Sequence, residues 1–214
     1  MSAFKLPHTT RVQRVIPKNA FDKYVSRKQK KLLTEKVSRI TWLNKISTDT
    51  VKLEAKDTKE IQIFRIELKT KDDISEILDL IDKSIPYSII FIVECEQEMY
   101  LSTSTKHGHP TNINKSVIDW TFNSQWFLVE ENSYTLNLKK SIDAVFLDFC
   151  NQLSGMLADR NKSLSDLVNY CKQKYILENE IEKLKRDIKK CKQYKLKVEM
   201  NLELKLKIVQ LVKL

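Results

Sequence analysis

Apolar residues follow two patterns along this chain: short runs of mixed period up to about residue 155, and one long periodic stretch from Ser163 onward. In the first part, Ile61, Ile63 and Arg65 alternate with Gln62, Phe64, Ile66 and Leu68. Both faces of Glu60–Lys69 are therefore apolar, which predicts an inner strand of a covered sheet. After the polar break Lys71-Asp72-Asp73, the residues Ile74, Ile77, Leu78 and Ile81 recur at spacings of three and four and predict a helix. Tyr87–Cys95 is then a nearly continuous apolar run of strand length. A turn at Glu96-Gln97-Glu98 and a returning strand from Met99 to Thr103 complete a hairpin. Upstream, β-branched and aromatic residues predict a strand over Ile40–Ile46, and alternation predicts a more exposed one over Val51–Ala55. Pro17 suits the first turn of a helical region, and Ser26 with Gln29 forms a capping-box pattern for a second helix through Leu32, Leu33 and Val37. Residues 104–115 read as a long irregular stretch, followed by a short strand over Asp119–Phe122 and a turn before Trp126-Phe127-Leu128. Leu136, Leu138, Ile142, Val145, Phe146, Phe149 and Leu153 mark an amphipathic helix that starts near Ser141 and closes over the sheet.

The tail has no proline or glycine. Leu167, Tyr170, Lys174, Leu177, Ile181, Leu184, Ile188, Cys191, Lys195, Val198 and Leu202 alternate at spacings of three and four. This is a heptad seam with lysine intrusions at 174 and 195, with Ser163 or Ser165 as cap. Leu177, Ile181, Leu184, Ile188 and Val198 are its expected interface residues. One helix of about 50 residues would expose an apolar stripe along ~75 Å, and it needs a cover. That cover is a second copy, another protein, or the chain's own domain if the helix folds back. Beyond Leu202 the apolar residues crowd together (Leu204, Leu206, Ile208, Val209, Leu211, Val212), so the seam widens. The expected architecture is α+β: a mixed sheet of about five to six strands with flanking helices, followed by a long C-terminal helix acting as a coiled coil. The segments are a basic helical region over 1–39, a core domain over 40–160 and the coiled-coil helix over 163–214.

Composition narrows the function. Glycine occurs only twice in 214 residues, at Gly108 and Gly155, so no glycine-rich phosphate loop can form. Charge is segregated. Residues 1–40 carry +9, residues 165–214 carry +6, and the body between carries −5, within a net charge of +10. Such basic ends attract nucleic acid, an acidic membrane surface or an acidic partner protein, the bland alternative being a solvated surface. Lys28, Lys30, Lys31, Lys36 and Arg39 at one end, and Lys185, Arg186 and Lys189 at the other, are the candidate contacts. Cys95, Cys150, Cys171 and Cys191 lack paired spacing and fit free thiols in a reducing compartment. No signal core or apolar run of ~20 residues is present, so a cytoplasmic protein with no membrane contact is expected.

Several local motifs occur together in order: Ile16-Pro17-Lys18 before a short helix, Ile40-Thr41-Trp42-Leu43-Asn44-Lys45-Ile46-Ser47, Glu60-Ile61-Gln62-Ile63-Phe64, Ile85-Pro86-Tyr87, and the neighbourhood of Trp126. Over residues 1–155 this set resembles the prokaryotic domain-of-unknown-function family numbered 4391, which usually continues into a helical tail. The resemblance carries no activity. It implies a place beside helicases and methyltransferases in restriction-like or antiviral defence systems.

Catalytic patterns are sparse. Glu67-Leu68-Lys69 at a strand end is half of a metal-dependent nuclease pattern, in which the carboxylate holds Mg²⁺ and the lysine polarises the attacking water. The bland alternative is an ion pair at a strand end, and the preceding segment offers only Glu54, Asp57 or Asp49 as a second ligand. His107 and His109 lack a third ligand. Trp42, Trp120 and Trp126 are expected in core packing rather than as a stacking platform. No metal site and no cofactor are expected unless the Glu67/Lys69 nuclease pattern holds, in which case the ion is Mg²⁺. The expected function is a non-enzymatic adaptor of a multi-protein, nucleic-acid-directed assembly, acting through self-association or a partner protein on the C-terminal helix. Direct nucleic-acid binding through the basic ends is the alternative, and the nuclease is a third.

Overall fold

The strand–helix–strand unit predicted over residues 60–95 forms the centre of the sheet. The computed structural model describes residues 3–109, 112–155 and 163–214. It divides into two units, residues 1–160 and 161–214. In the first unit the order is β1 (Arg11–Val15), α1 (Arg27–Lys36), β2 (Val37–Ser47), α2 (Thr48–Val51), β3 (Glu60–Leu68), α3 (Ser75–Ser84), β4 (Ser88–Cys95), β5 (Glu98–His109), β6 (Asn112–Asn123), β7 (Phe127–Leu128) and α4 (Ile142–Ser154). The strands lie in the order β1-β2-β3-β4-β5-β6, with β7 paired to β5. Among the described strands only β3 and β4 pair in parallel, in register from Ile61 opposite Ser88 to Glu67 opposite Glu94. A parallel neighbour requires a crossover, and α3 supplies it.

The two apolar faces of β3 are both used. Phe64, Ile66 and Leu68 join Leu33 of α1, Ile74, Ile77, Leu78 and Ile81 around α3, and Phe91 of β4 in one core cluster. On the other face Ile61 and Ile63 are fully buried, and α4 packs over β3, β5 and β6 with Ile142, Val145, Phe146 and Phe149 inside. Ser26 caps α1 through the predicted box: its hydroxyl accepts from Gln29 N at 3.3 Å, and the Gln29 side chain accepts from Ser26 N at 2.9 Å. Ser141 caps α4 in the same way through Ala144 N. Gly155 ends that helix at φ 69°, a left-handed conformation that glycine adopts without a Cβ penalty.

Three expectations change. Val51–Ala55 is not a strand. Ser47 N donates to Thr50 Oγ1 and starts the helical turn α2, and the Asp143 carboxylate then accepts the N–H groups of Lys56, Asp57 and Thr58. This leaves Glu54 a single bridge to Ser141. Residues 104–109 and 112–115 are not a loop, because β5 and β6 run on as a long hairpin; β1 and β7 bring the strand number to seven. Polar side chains hold it: Ser104 and Thr121 share a hydroxyl contact at 3.0 Å, and Lys106 reaches into α3. Finally, the basic region over 1–39 contains a strand as well as helices. β1 pairs with β2 at the sheet edge, and its Arg11 and Arg14 discourage pairing with another chain.

In the second unit the long helix is interrupted. α5 (Leu164–Lys190) is capped by Ser163 and ends where Cys191 and Gln193 turn extended; α6 (Tyr194–Lys213) follows. Lys207 meets Glu180 at 2.8 Å, so α6 runs back along α5 as an antiparallel hairpin.

Candidate interaction surface on the carboxy-terminal helices

The hairpin divides the predicted seam in two. Leu177, Leu184 and Ile188 are half-buried and Ile181 is buried along α5, where α6 lies. The α6 residues that lie inward are Met200, Leu204, Lys207 and Leu211, spaced by four, three and four. Val198 and Leu202 belong to the predicted seam, yet they are 42% and 57% exposed. At 100° per residue they sit about half a turn from Met200 and Leu204, on the side of α6 turned away from α5. Val209 and Val212 continue that outer stripe, and Leu206 flanks it. The apolar crowding beyond Leu202 is thus two opposite apolar faces on one helix. None of the α6 residues is buried. A helix that is apolar on two sides requires a neighbour on each, and α5 supplies only one.

Charge is built into the outer stripe. Lys195, Lys205 and Lys213 fall within it by helical angle, while Glu199 lies at its border. Among the basic residues expected to contact partners, four are engaged within the chain. Lys30 pairs with Asp22, Lys31 with Glu35, Lys36 with Asp72, and Lys185 with Glu182. Lys36 also donates to Asp73 O at 3.0 Å. Lys28, Arg39, Arg186 and Lys189 are exposed and make no ion pair among the described residues.

The Glu67/Lys69 pattern does not assemble. Glu67 Oε1 lies 3.3 Å from Arg65 Nε and beside Glu94, its register partner on β4. Lys69 Nζ instead donates to Thr34 O at 2.9 Å, and so holds the last turn of α1. The β2 residue opposite Glu67 is Arg39, a cation where the nuclease pattern needs a second carboxylate. Burial lifts the Glu94 carboxyl above its ordinary range, with Arg65 opposing the rise. This group is an arginine shared by two carboxylates near the carboxy-terminal ends of two central strands. Among the described residues no three His, Cys, Asp or Glu side chains are placed to hold a metal ion. His107 Nδ1 pairs with Asp119 across the hairpin at 3.0 Å; for His109 only the backbone is described. Trp42 and Trp126 pack against Phe64 and Tyr100, as expected of core residues. All four cysteines are free thiols. No helix among the described residues is long and apolar enough to cross a membrane.

The family model described as Domain of unknown function (DUF4391) matches residues 4–211. The chain belongs to this family. The match extends past the α+β domain through α5 and nearly all of α6, so the hairpin is part of the DUF4391 unit. No curated protein and no solved structure matches the chain.

Proposed function

We propose that this DUF4391 protein is a non-enzymatic, cytoplasmic interaction subunit whose α+β domain is carried to its place by the α5–α6 hairpin docking on an amphipathic helix of another protein. The observation that carries this is the outer stripe of α6. Its five aliphatic side chains, from 42% exposed at Val198 to 81% at Val212, together equal about three fully exposed ones. Covering them would yield about 4–9 kcal/mol at 1.5–3 kcal/mol per side chain. The partner is a different chain with acidic residues beside its apolar face. Lys195, Lys205 and Lys213 lie in the stripe and the tail carries +6, so two copies would bring like charges together. The wider setting, a nucleic-acid-directed assembly in antiviral defence, rests on what the family resemblance implies.

The test is affinity purification of the full chain beside a Leu202→Glu/Val209→Glu variant of equal helicity. The reading expects one protein recovered at fixed stoichiometry with the native chain and lost with the variant. A native chain that sediments strictly as a monomer from cell extract, with nothing recovered in a variant-sensitive way, overturns it. A second reading, direct phosphate contact, draws on the exposed and unpaired Lys28, Arg39, Arg186 and Lys189. It predicts DNA or RNA binding that falls steeply between low and physiological salt, and retention of neither at low salt refutes it.

A further inference from the structure

The two exposed and buried halves of the tail share one unbroken heptad phase. From α5 through the break and along the outer stripe of α6, the positions 167, 170, 174, 177, 181, 184, 188, 191, 195, 198, 202, 205, 209 and 212 alternate at three and four without a skip. The inward residues of α6 (Met200, Leu204, Lys207, Leu211) belong to a different phase. A chain evolved only as a hairpin has no need for a seam that stays in register across its own turn, because the turn throws the second half to the far side. The turn itself is undemanding. Cys191, Lys192 and Gln193 include no glycine or proline, and all three can enter a helix. Lys189, Lys190, Lys192 and Lys195 crowd the turn with like charge, which a partner's carboxylates would relieve. On the other side, α6 contributes no buried residue to its contact with α5, and Lys207–Glu180 is the ion pair between them among the described residues.

We infer that the hairpin is a closed state which opens on a partner: residues 191–193 become helical, α5 and α6 join into one helix of about 50 residues, and the continuous seam pairs along its whole length with a helix of opposite charge. The inference rests on the docking reading above and sharpens it. In the closed state the apolar seam residues exposed to a partner are those on the outer stripe of α6, whereas in the open state Leu177, Ile181, Leu184 and Ile188 meet the partner too. The lysines at seam positions 174, 195 and 205 specify that partner. A second copy would oppose lysine to lysine at buried positions, while glutamate or aspartate at the facing positions would pair with them.

The experiment places two spectroscopic labels at Glu180→Cys and Lys207→Cys in the full chain, with the four native cysteines replaced by serine or alanine. The probe is a synthetic 50-residue helix of the same heptad pattern with glutamate in place of each lysine. Alone, the labels report a short distance, because positions 180 and 207 face each other across the hairpin, where the native side chains meet. With the probe, an open helix separates positions 180 and 207 by about 40 Å at 1.5 Å per residue. A second arm joins the same two cysteines with a short bifunctional cross-linker, and expects a loss of probe affinity of at least tenfold, restored on cleaving the linker. Unchanged affinity in the locked chain, or a distance that stays short with the probe bound, overturns the opening and leaves docking on the outer stripe standing. No binding by either the locked or the free chain removes both.

Discussion

Replacing Lys106 by methionine tests how the long β5–β6 hairpin is tied to the rest of the domain. Lys106 and Asp82 are 4% and 1% exposed, and the ammonium spends all three donors at once: on Asp82 Oδ1 at 2.7 Å, on Asp82 O at 2.7 Å and on Ile85 O at 2.6 Å. It therefore closes the end of α3 and answers the Asp82 charge in a single contact. Methionine keeps the apolar stem but strips the carboxylate and the Ile85 carbonyl of their lysine donor, and leaves the Asp82 carbonyl only Ile85 N at 3.4 Å. Breaking a buried pair on one side costs about 3–5 kcal/mol, a large share of the roughly 5–15 kcal/mol that holds a domain together. With a urea slope of about 2–3 kcal/mol per molar, the unfolding midpoint falls by about 1–2.5 M. The pH dependence has a definite sign. Burial already raises the Asp82 carboxyl, and contact with Lys106 opposes that rise. Without the lysine it climbs further. A carboxyl raised in the folded state contributes stability that is present below its unfolded value of about 3.9 and lost as pH rises through the folded value. The deficit of Lys106→Met against the native chain is thus smallest near pH 4 and grows toward pH 8. Adding Asp82→Leu removes the stranded charge and restores about half the loss, since the Ile85 carbonyl still lacks its donor. Urea titrations followed by circular dichroism at several pH values measure all of this. An unchanged midpoint at neutral pH, or a deficit that shrinks as pH rises, would refute the reasoning.

Three further outcomes are expected. Asp143→Asn should cost about 1.5–3 kcal/mol, because its carboxylate accepts three backbone N–H groups at 2.7–2.9 Å from Lys56, Asp57 and Thr58. Burial works to raise this carboxyl, but the three donors outweigh it and hold it below its ordinary value. Its contribution is therefore present above the unfolded value and lost as pH falls through the folded one, so the gap to the variant should close in acid melts. The double variant Glu67→Gln/Lys69→Ala should lose less than about 1 kcal/mol, mostly from the freed end of α1, and should show the same divalent-dependent nuclease background as the native chain; a drop in cleavage would restore the nuclease reading. Ser26→Ala should cost about 1 kcal/mol through loss of the α1 cap, checked by thermal melts with Gln29→Ala adding little to it.

The central sheet was legible because β3, α3 and β4 carry clean periods: buried residues at both parities in β3, three- and four-residue steps in α3, and a continuous apolar run in β4. The caps at Ser26, Ser141 and Ser163 were legible for the same reason, since a capping hydroxyl acts within three residues of itself. What escaped was fixed over long separations. The strand character of residues 104–109 depends on Thr121 and on α3, and the loop at Lys56–Thr58 depends on Asp143, some 85 residues away. No local pattern announces either. The tail is the reverse case. Its heptads are among the plainest periodic signals in the chain, and they predict a continuous helix through Cys191, where α5 in fact ends. The periodicity and the break conflict only if the tail has a single state. The apolar set at 200, 204 and 211 serves the hairpin, the set at 198, 202, 209 and 212 serves a continuous helix, and α6 carries both at the cost of exposing one. Monomeric soluble proteins rarely expose a contiguous apolar stripe that has no use. Their retention on the outer side of α6, in phase with a seam half a chain turn away, is what a sequence looks like when it must satisfy two packings in succession.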